Sequence, residues 1–408
     1  MVERKKIPIY LLVAVLWCND YLLQYVRIVV ARMPIIGSLS VFVIPGIYAI
    51  AILFALPLLK VYASDVVLVC IVWMIYVVSP VVHPETYSTW SDQALKFLFT
   101  VVPFYFLGNM VLHYIKMERL LEYLATLSIV TVLAKMTYFA IFEYGRSNAW
   151  TDVGEMDQAY KLLPHICMIC YDAIKKPTVT NLSVVAISSA YLLFLGNRGS
   201  VLVLIICIAM LYLLTSSSKY RVWNAGVIVA VVLLVVFSPF FDVMVETLEN
   251  AALQLGMSVR IFEKIKEGGL TDSSGRDVQA ESIYTALENQ PMRGLGLYGD
   301  RVLNGTYAHS IVRELWVDFG YLFGSLIFAL IVWIIFRAFK DVKSKEIKAF
   351  TIILMGNGFF KLFFSGSYLT EDTFFYVIGM CVAMIRYSKK INQTTKKNME
   401  RTRLYGEW

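Results

Sequence analysis

Three basic side chains, two in the longest polar stretch of the chain and one in an earlier turn, are of the types that phosphate chemistry requires. Residues 242–309 separate two apolar segments and contain Arg276 and His309. An arginine can bind a phosphate through two parallel hydrogen bonds, and a neutral imidazole can take a proton from an attacking hydroxyl group. A third residue, Arg198, lies in the short turn Gly196-Asn197-Arg198-Gly199 between two apolar runs. The combination predicts a site for an anionic substrate, with Arg198, Arg276 and His309 as the catalytic candidates.

Further charged residues near these three are candidates for substrate binding. Arg293 lies in the segment Pro291-Met292-Arg293-Gly294-Leu295-Gly296, where the proline and the two glycines predict a turn. Arg313 and Glu314 follow His309 at the start of the next apolar segment. Glu314 and Asp318 share a helical face, so either carboxylate could orient His309 or replace it as the base. Taken singly, each basic residue also fits a solvated or interfacial side chain with no chemical role.

The elements that position these residues are predicted to be membrane helices. Of the 408 residues, 58% are hydrophobic and 16% are charged, whereas about a quarter of the residues of a soluble domain are charged. Apolar runs of about 17–25 residues recur along the chain, and this is the length needed to cross a bilayer as a helix. We therefore predict an all-α polytopic membrane protein with about twelve spans. The predicted spans are residues 7–25, 37–59, 65–82, 94–114, 120–142, 159–174, 178–195, 199–215, 222–241, 310–336, 348–364 and 370–387.

The basic residues of the short loops predict the orientation of these spans. Lysines and arginines concentrate in alternate loops and in the C-terminal tail, whereas the loop 83–93 has none. Because cytoplasmic loops carry the excess of lysine and arginine, both termini are predicted to be cytoplasmic. The chain then divides into residues 1–241 with nine spans, an extracytoplasmic loop 242–309, and residues 310–408 with three spans and a basic tail.

The large loop is predicted to contain two short helices. Residues 242–256 place their apolar side chains on one face, and a second helix begins at Ser274 and ends before Pro291. Arg276 then lies in the first turn of the second helix, where free N–H groups and the helix dipole favour an anion.

Several other classes of site are disfavoured. The six cysteines lie in or beside apolar runs, and we interpret them as packing residues, including the single C-x-x-C of Cys167 and Cys170. No carboxylate cluster with metal-ligand spacing lies in the outer loops, so we expect neither a metal nor another cofactor. The net charge of +7 comes from residues at helix ends rather than on one soluble face, which argues against a nucleic-acid partner.

Taken together, these residues resemble the O-antigen polymerase/ligase superfamily of bacterial membrane glycosyltransferases. The resemblance covers roughly residues 178–336, and the N-terminal half is similar only in having many spans. Asn197 and Ser310 depart from the residues that are common at these positions of the family. The matching motifs, in the family's order, are Arg198-Gly199, Gly275-Arg276, Pro291 with Gly294 and Gly296, His309, and Gly320 with Gly324.

The resemblance implies an enzyme of the bacterial cytoplasmic (inner) membrane whose active site faces the extracytoplasmic side. Its donor would be an oligosaccharide on a polyprenyl (undecaprenyl) diphosphate, and its acceptor a sugar hydroxyl of a second lipid-linked unit. Arg198 and Arg276 would stabilise the leaving diphosphate, His309 would deprotonate the acceptor, and the transfer would be inverting and metal-independent. The other implied partners are membrane lipid and the flippase and chain-length regulator of the same pathway.

Two alternatives to a polysaccharide polymerase remain at this point. A ligase that transfers the glycan to lipid A core or another acceptor uses the same donor chemistry, and we favour the polymerase because it is the commoner role in the family. A transporter of an anionic or lipid-linked substrate would also use outward arginines. It predicts charged residues deep in several helices, whereas here only Asp20, Lys135 and Lys361 depart from the outer edge.

Overall fold

A computed structural model gives the fold of the chain as all-α, with no strand among the residues that it describes. The described residues are 7–18, 22–31, 33, 39–98, 102–138, 152–195, 198–216, 219–220, 222–223, 226, 239–254 and 276–405. They form sixteen α-helices: α1 Ile7–Cys18, α2 Gln24–Ala31, α3 Ser40–Ala55, α4 Ala63–Val82, α5 Tyr87–Lys96, α6 Val102–Tyr114, α7 Met117–Tyr138, α8 Asp152–Lys175, α9 Val179–Phe194, α10 Arg198–Thr215, α11 Pro239–Gln254, α12 Arg276–Asn289, α13 Gly299–Asn304, α14 Ile311–Asp341, α15 Lys345–Met355 and α16 Asp372–Tyr405. The predicted all-α class is therefore confirmed.

Three of these helices are long and apolar enough to cross a membrane, and they correspond to α4, α7 and α14. Five further apolar helices, within α1, α3, α6, α9 and α10, are shorter. Membrane association is thus supported, while the count of twelve spans stays a prediction. The predicted span 222–241 lies mostly outside the described residues.

The chain divides into two compact units, each built from separated stretches of sequence. Unit 1 comprises Met1–Pro57, Ile115–Ser274 and Ile352–Lys361. Unit 2 comprises Leu58–Tyr114, Gly275–Thr351 and Leu362–Trp408.

Within unit 1, α8 packs against α7, α9 and α10. Its middle turns are apolar, and Leu162, Leu163 and Ile166 are fully buried. His165 on this helix is also buried, with its Nδ1 atom 3.3 Å from Ser128 Oγ of α7. After α15, the predicted span 348–364 continues as a π-helical segment Gly356–Phe360, which packs on α8 and α10.

Within unit 2, α6 and α16 approach each other closely because each presents a glycine to the other. A side chain at Gly108 would overlap the carbonyl oxygen of Tyr376, and one at Gly379 would overlap that of Tyr105. Small residues at a helix interface allow such backbone approach in membrane proteins. The same unit buries Asp65 of α4 completely, where it accepts hydrogen bonds from Asn109 (2.8 Å) and Arg386 (2.8 Å).

The helix α14 is broken at Gly320, whose φ of 77° and ψ of 170° are not helical. The side chain of Trp316 donates from Nε1 to Ser325 Oγ at 2.9 Å, although nine residues of a continuous helix would span about 13.5 Å. The chain therefore bends sharply, and the predicted single span 310–336 becomes a short helix before Gly320 and a longer one after it. Residues 321–341 alone extend about 31 Å as a helix, close to the thickness of a hydrocarbon core.

The two helices predicted for the large loop are both present. The first is α11, which begins at Pro239 and ends at Gln254, and the second is α12, which ends at Asn289. Arg276 is the first residue of α12, as expected for a residue in its first turn. Ser274 and Gly275 lie outside the described residues.

Candidate functional site

The candidate site lies in unit 2, where the turn after α12 docks on the break in α14. Leu295 N–H donates to the Val317 carbonyl at 2.6 Å, and Tyr321 N–H donates to the Pro291 carbonyl at 2.8 Å. A Cβ atom at Gly294 would lie 2.5 Å from the nitrogen of Gly320, and one at Gly320 would lie 2.6 Å from the Met292 carbonyl carbon. Both glycines also have positive φ angles, of 70° and 77°. The predicted turn is thus a backbone-to-backbone contact that only glycine permits on either side.

The same turn is tied to the end of α4. Arg293 is exposed and donates from Nη2 to the Val82 carbonyl at 2.9 Å, in the last turn of that helix. A cation at a helix C-terminus satisfies an otherwise unpaired carbonyl and complements the helix dipole. Gly296 packs directly on the ring of His83, and Leu297 N–H donates to Ser79 Oγ at 2.8 Å.

His309 has an unusual backbone conformation. Its φ of 53° lies in the left-handed region, which costs a non-glycine residue about 1–2 kcal/mol. The preceding short helix α13 ends at Asn304 and is capped by Gly305, which has a φ of 70°, and Ser310 returns to extended backbone before α14. Such strain persists only where neighbouring groups fix the segment, and it concentrates at functional sites.

The imidazole of His309 is held in a positively charged environment. Its ring packs on the ring of Tyr307 with centroids 4.2 Å apart, and the Tyr307 hydroxyl lies 3.2 Å from Ser365 Oγ. Burial, together with the charges of Arg276 and Arg313, lowers the pKa of His309 to about 4. The imidazole is therefore neutral at neutral pH. Among the described residues, its buried Nδ1 atom has no hydrogen-bond partner.

The two arginines beside His309 come from different helices. Arg276 opens α12, Arg313 lies in the first turn of α14, and both side chains are half-buried. Within the described ranges, neither guanidinium forms an ion pair with a carboxylate. Two half-buried cations without an acidic partner, next to a neutral imidazole, form an environment suited to an anion with several phosphate oxygens.

Behind His309 lies a buried network of three carboxylates around one arginine. Arg301 donates from Nη1 to Asp300 at 2.9 Å and to Glu314 at 3.5 Å, and from Nη2 to Ser367 Oγ at 2.7 Å. Its guanidinium also lies 4.7 Å from the ring centroid of Tyr298. Burial raises the pKa of Asp300, although the Arg301 charge partly opposes this. A buried charge is tolerated when such partners surround it.

Glu314 and Asp318 are the other two carboxylates of this network. Glu314 accepts hydrogen bonds from the Ser367 hydroxyl and from Tyr368 N–H, the latter at 3.1 Å. Asp318 Oδ2 accepts from the Tyr368 hydroxyl at 2.5 Å, and its Oδ1 atom has no partner among the described residues. The two carboxylates share one helical face, as predicted, but neither one hydrogen-bonds to His309.

The structure thus brings together three of the residues selected from the sequence: Arg276, Arg313 and His309. Arg293 contacts the end of α4, and Glu314 belongs to the buried network. Arg198 is the first residue of α10 in unit 1, and its role stays a prediction.

The sequence reasoning missed the network partners Asp300, Arg301, Ser367 and Tyr368. No signal in the sequence pointed to them, because an adjacent aspartate and arginine in a polar loop are equally typical of a solvated surface. No group of three or more histidine, cysteine, aspartate or glutamate side chains in the described part of the chain is arranged to hold a metal ion. Comparisons of the chain with protein-family models, with curated proteins and with solved structures find no match.

Proposed function

We propose that this protein is a membrane glycosyltransferase that polymerises lipid-linked glycans. It would transfer a glycan from a polyprenyl diphosphate to a sugar hydroxyl of a second lipid-linked unit. The observation that carries the proposal is the neutral imidazole of His309, whose pKa is lowered by burial and by the charges of Arg276 and Arg313, two arginines without acidic partners among the described residues.

The two arginines fit the role of holding the donor's diphosphate. In the transfer, the bond between the anomeric carbon and the phosphate oxygen breaks, and negative charge develops on that oxygen. Fixed guanidinium groups stabilise such charge more in the transition state than in the bound donor, which accelerates the reaction. Arg276 adds the free N–H groups at the start of α12.

His309 fits the role of the base. The acceptor hydroxyl attacks the anomeric carbon on the face opposite the diphosphate, so a new glycosidic bond forms with inversion. The hydroxyl proton passes to the imidazole, which is unprotonated at neutral pH and therefore able to receive it.

Substrate binding would also improve the imidazole as a base. A diphosphate between two guanidiniums neutralises part of the charge that lowers the pKa of His309. Its pKa then rises from about 4 toward its ordinary value when the donor is bound. Proton transfer would thus be favoured in the complex rather than in the free protein.

The membrane context extends the proposal. Three apolar helices of spanning length suit a lipid-linked substrate. We propose that about twelve spans place both termini in the bacterial cytoplasm and the site on the extracytoplasmic side, where flipped donors are presented.

A test in the native host separates the proposal from its alternatives. We expect Arg276→Ala, Arg313→Ala and His309→Ala each to abolish long-chain surface glycan and to leave single lipid-linked repeat units. Long glycan stranded on the lipid carrier would indicate a ligase instead. Unchanged glycans in all three variants, with normal amounts of protein in the membrane, would refute the enzyme. The variant Arg337→Gln serves as a matched control, because it removes a half-buried guanidinium whose ion-pair partner among the described residues is Asp341, at the other end of α14.

A binding test with the purified full-length protein isolates the anion site from the chemistry. Inorganic pyrophosphate is the probe, and its affinity is measured by calorimetry for the wild type, Arg276→Gln and Arg313→Gln. Each substitution is expected to weaken binding by about tenfold, since a charge-assisted hydrogen bond is worth about 1.5–3 kcal/mol. Equal affinity in all three proteins would remove the arginine pair from the proposal.

A further inference from the structure

A buried carboxylate, that of Asp300, binds the backbone of the segment that carries His309. Asp300 Oδ2 accepts a hydrogen bond of 2.8 Å from the backbone N–H of Ala308, the residue immediately before His309. Asp300 is fully buried, as is the hydrogen bond that it accepts. Because His309 adopts a left-handed backbone, the peptide before it must be held in one orientation.

The second carboxylate oxygen of Asp300 also accepts hydrogen bonds. Its Oδ1 atom accepts from the backbone N–H of Arg301 at 2.8 Å and from the guanidinium of Arg301 at 2.9 Å. Arg301 is fixed in turn by Glu314 and by the hydroxyl of Ser367. The orientation of the carboxylate is therefore determined by residues of α14 and of the segment before α16.

A second, independent contact joins the same segment to the residues that precede α16. The hydroxyl of Tyr307 lies 3.2 Å from Ser365 Oγ, and its ring packs against the imidazole. Ala308 is thus held through its backbone, and Tyr307 through its side chain, immediately before the imidazole. Among the described residues, none of these groups forms a hydrogen bond with the imidazole, so we expect them to act through the position of the ring.

We propose that Asp300 is a positioning residue, whose carboxylate fixes residues 307–309 so that the imidazole of His309 stays beside Arg276 and Arg313. The inference rests on the proposed role of His309 as the base. The buried carboxylate of Asp300, oriented by Arg301, binds the peptide before His309 and thereby keeps the base within reach of the sugar hydroxyl.

The test compares Asp300→Ala with Asp300→Asn in the purified full-length protein, using lipid-linked glycan extracted from the native host. Asp300→Ala is expected to lower kcat about 100-fold, the effect of a misplacement of about 1 Å, with KM for the donor within about twofold. Asp300→Asn keeps an oxygen that can accept from Ala308 N–H, so we expect its kcat to stay within about tenfold of the wild type. The exposed Asp92 provides the matched control, Asp92→Asn, with wild-type kcat.

A second readout does not depend on turnover. Histidine hydrogen–deuterium exchange, followed by mass spectrometry, gives the pKa of His309 in each variant. The charged groups that face this imidazole are Arg276 from α12 and Arg313 from α14. If Asp300→Ala releases the segment, the pKa rises from about 4 toward 6.5, whereas in Asp300→Asn it stays low. A general loss of stability, with the segment still in place, would not produce this rise.

The outcomes separate this inference from the proposed function. If His309→Ala retains the wild-type rate, the proposed function fails, and the inference fails with it. If His309→Ala is inactive but Asp300→Ala keeps the wild-type kcat and the low pKa, only the positioning role is refuted. Should Asp300→Ala not accumulate in the membrane, Ser367→Ala takes its place. It removes the hydroxyl that bonds to both Arg301 and Glu314, and an unchanged kcat together with an unchanged, low pKa of His309 in this variant would equally overturn the inference.

Discussion

Removing one of the two arginine charges beside His309 is expected to raise the pKa of its imidazole. Burial and the two guanidiniums together lower this pKa from 6.5 to about 4, and burial is the largest of the three causes. Each arginine therefore accounts for less than half of the difference. Arg276→Gln or Arg313→Gln should raise the pKa by roughly 0.5–1, to about 5, and the double substitution should raise it further.

The sign follows from the charge of the protonated ring. A neighbouring cation disfavours imidazolium, so removing the cation makes protonation easier and moves the titration to higher pH. Because the imidazole of the wild type is neutral down to about pH 5, the base form persists through mildly acidic conditions.

The assay is histidine hydrogen–deuterium exchange between pH 3 and pH 8, read separately for each of the four histidine peptides. His309→Gln identifies the signal, and Arg337→Gln controls for the loss of a guanidinium elsewhere in unit 2. A pKa that is equal in the wild type and in both arginine variants would refute the electrostatic coupling. So would an equal rise in Arg337→Gln, because that residue does not contribute to the lowering.

Two further predictions concern the stability of the docked turn. Gly320→Ala should destabilise the protein by about 3–4 kcal/mol, since it strains a conformation reserved for glycine and displaces the backbone of Pro291. Gly305 also has a positive φ but open space around it, so Gly305→Ala should cost only about 1 kcal/mol. Thermal unfolding in detergent measures both losses, and equal losses would contradict the contact between Gly320 and the turn. Arg293→Gln should cost about 0.5–1 kcal/mol through the lost bond to the Val82 carbonyl, and a midpoint identical to that of the wild type would show that this bond does not stabilise α4.

Much of the local structure could be predicted from the sequence because its causes are local. The apolar runs give the helices, and the proline and glycines of the turn end α12 close to the predicted position. Arg276 falls in the first turn of that helix for the same reason. The composition of residues 310–336 could not reveal the bend in α14, since the run remains predominantly apolar on both sides of Gly320. Only Gly320 marked it, and a glycine in a membrane helix is ordinary.

The candidate site was predicted in part. His309 and Arg276 stand out by residue type, and Arg313 follows His309 by only four residues. The grouping of Arg276 with both depends on the docking of the turn, which is a long-range contact. Asp300 could not be assigned from spacing, because its partner is a backbone N–H eight residues later, and any residue type supplies that group. Ser367 and Tyr368 join the network from a segment about fifty residues beyond Glu314. No sequence period connects them.

Some of the partners of Arg301 and Glu314 are synthesised more than fifty residues later. The chain leaves the ribosome from its N-terminus, so Arg301 and Glu314 are synthesised before Ser367 and Tyr368. Until then Arg301 and Glu314 have each other, and Arg301 also has Asp300, but both lack the Ser367 hydroxyl, and Glu314 also lacks the Tyr368 N–H. The complete network around Arg301 can therefore form only when synthesis reaches residue 368, shortly before the final helix. A product that terminates earlier would lack the contacts of Ser367 and Tyr368, and we expect it to be a substrate for quality control.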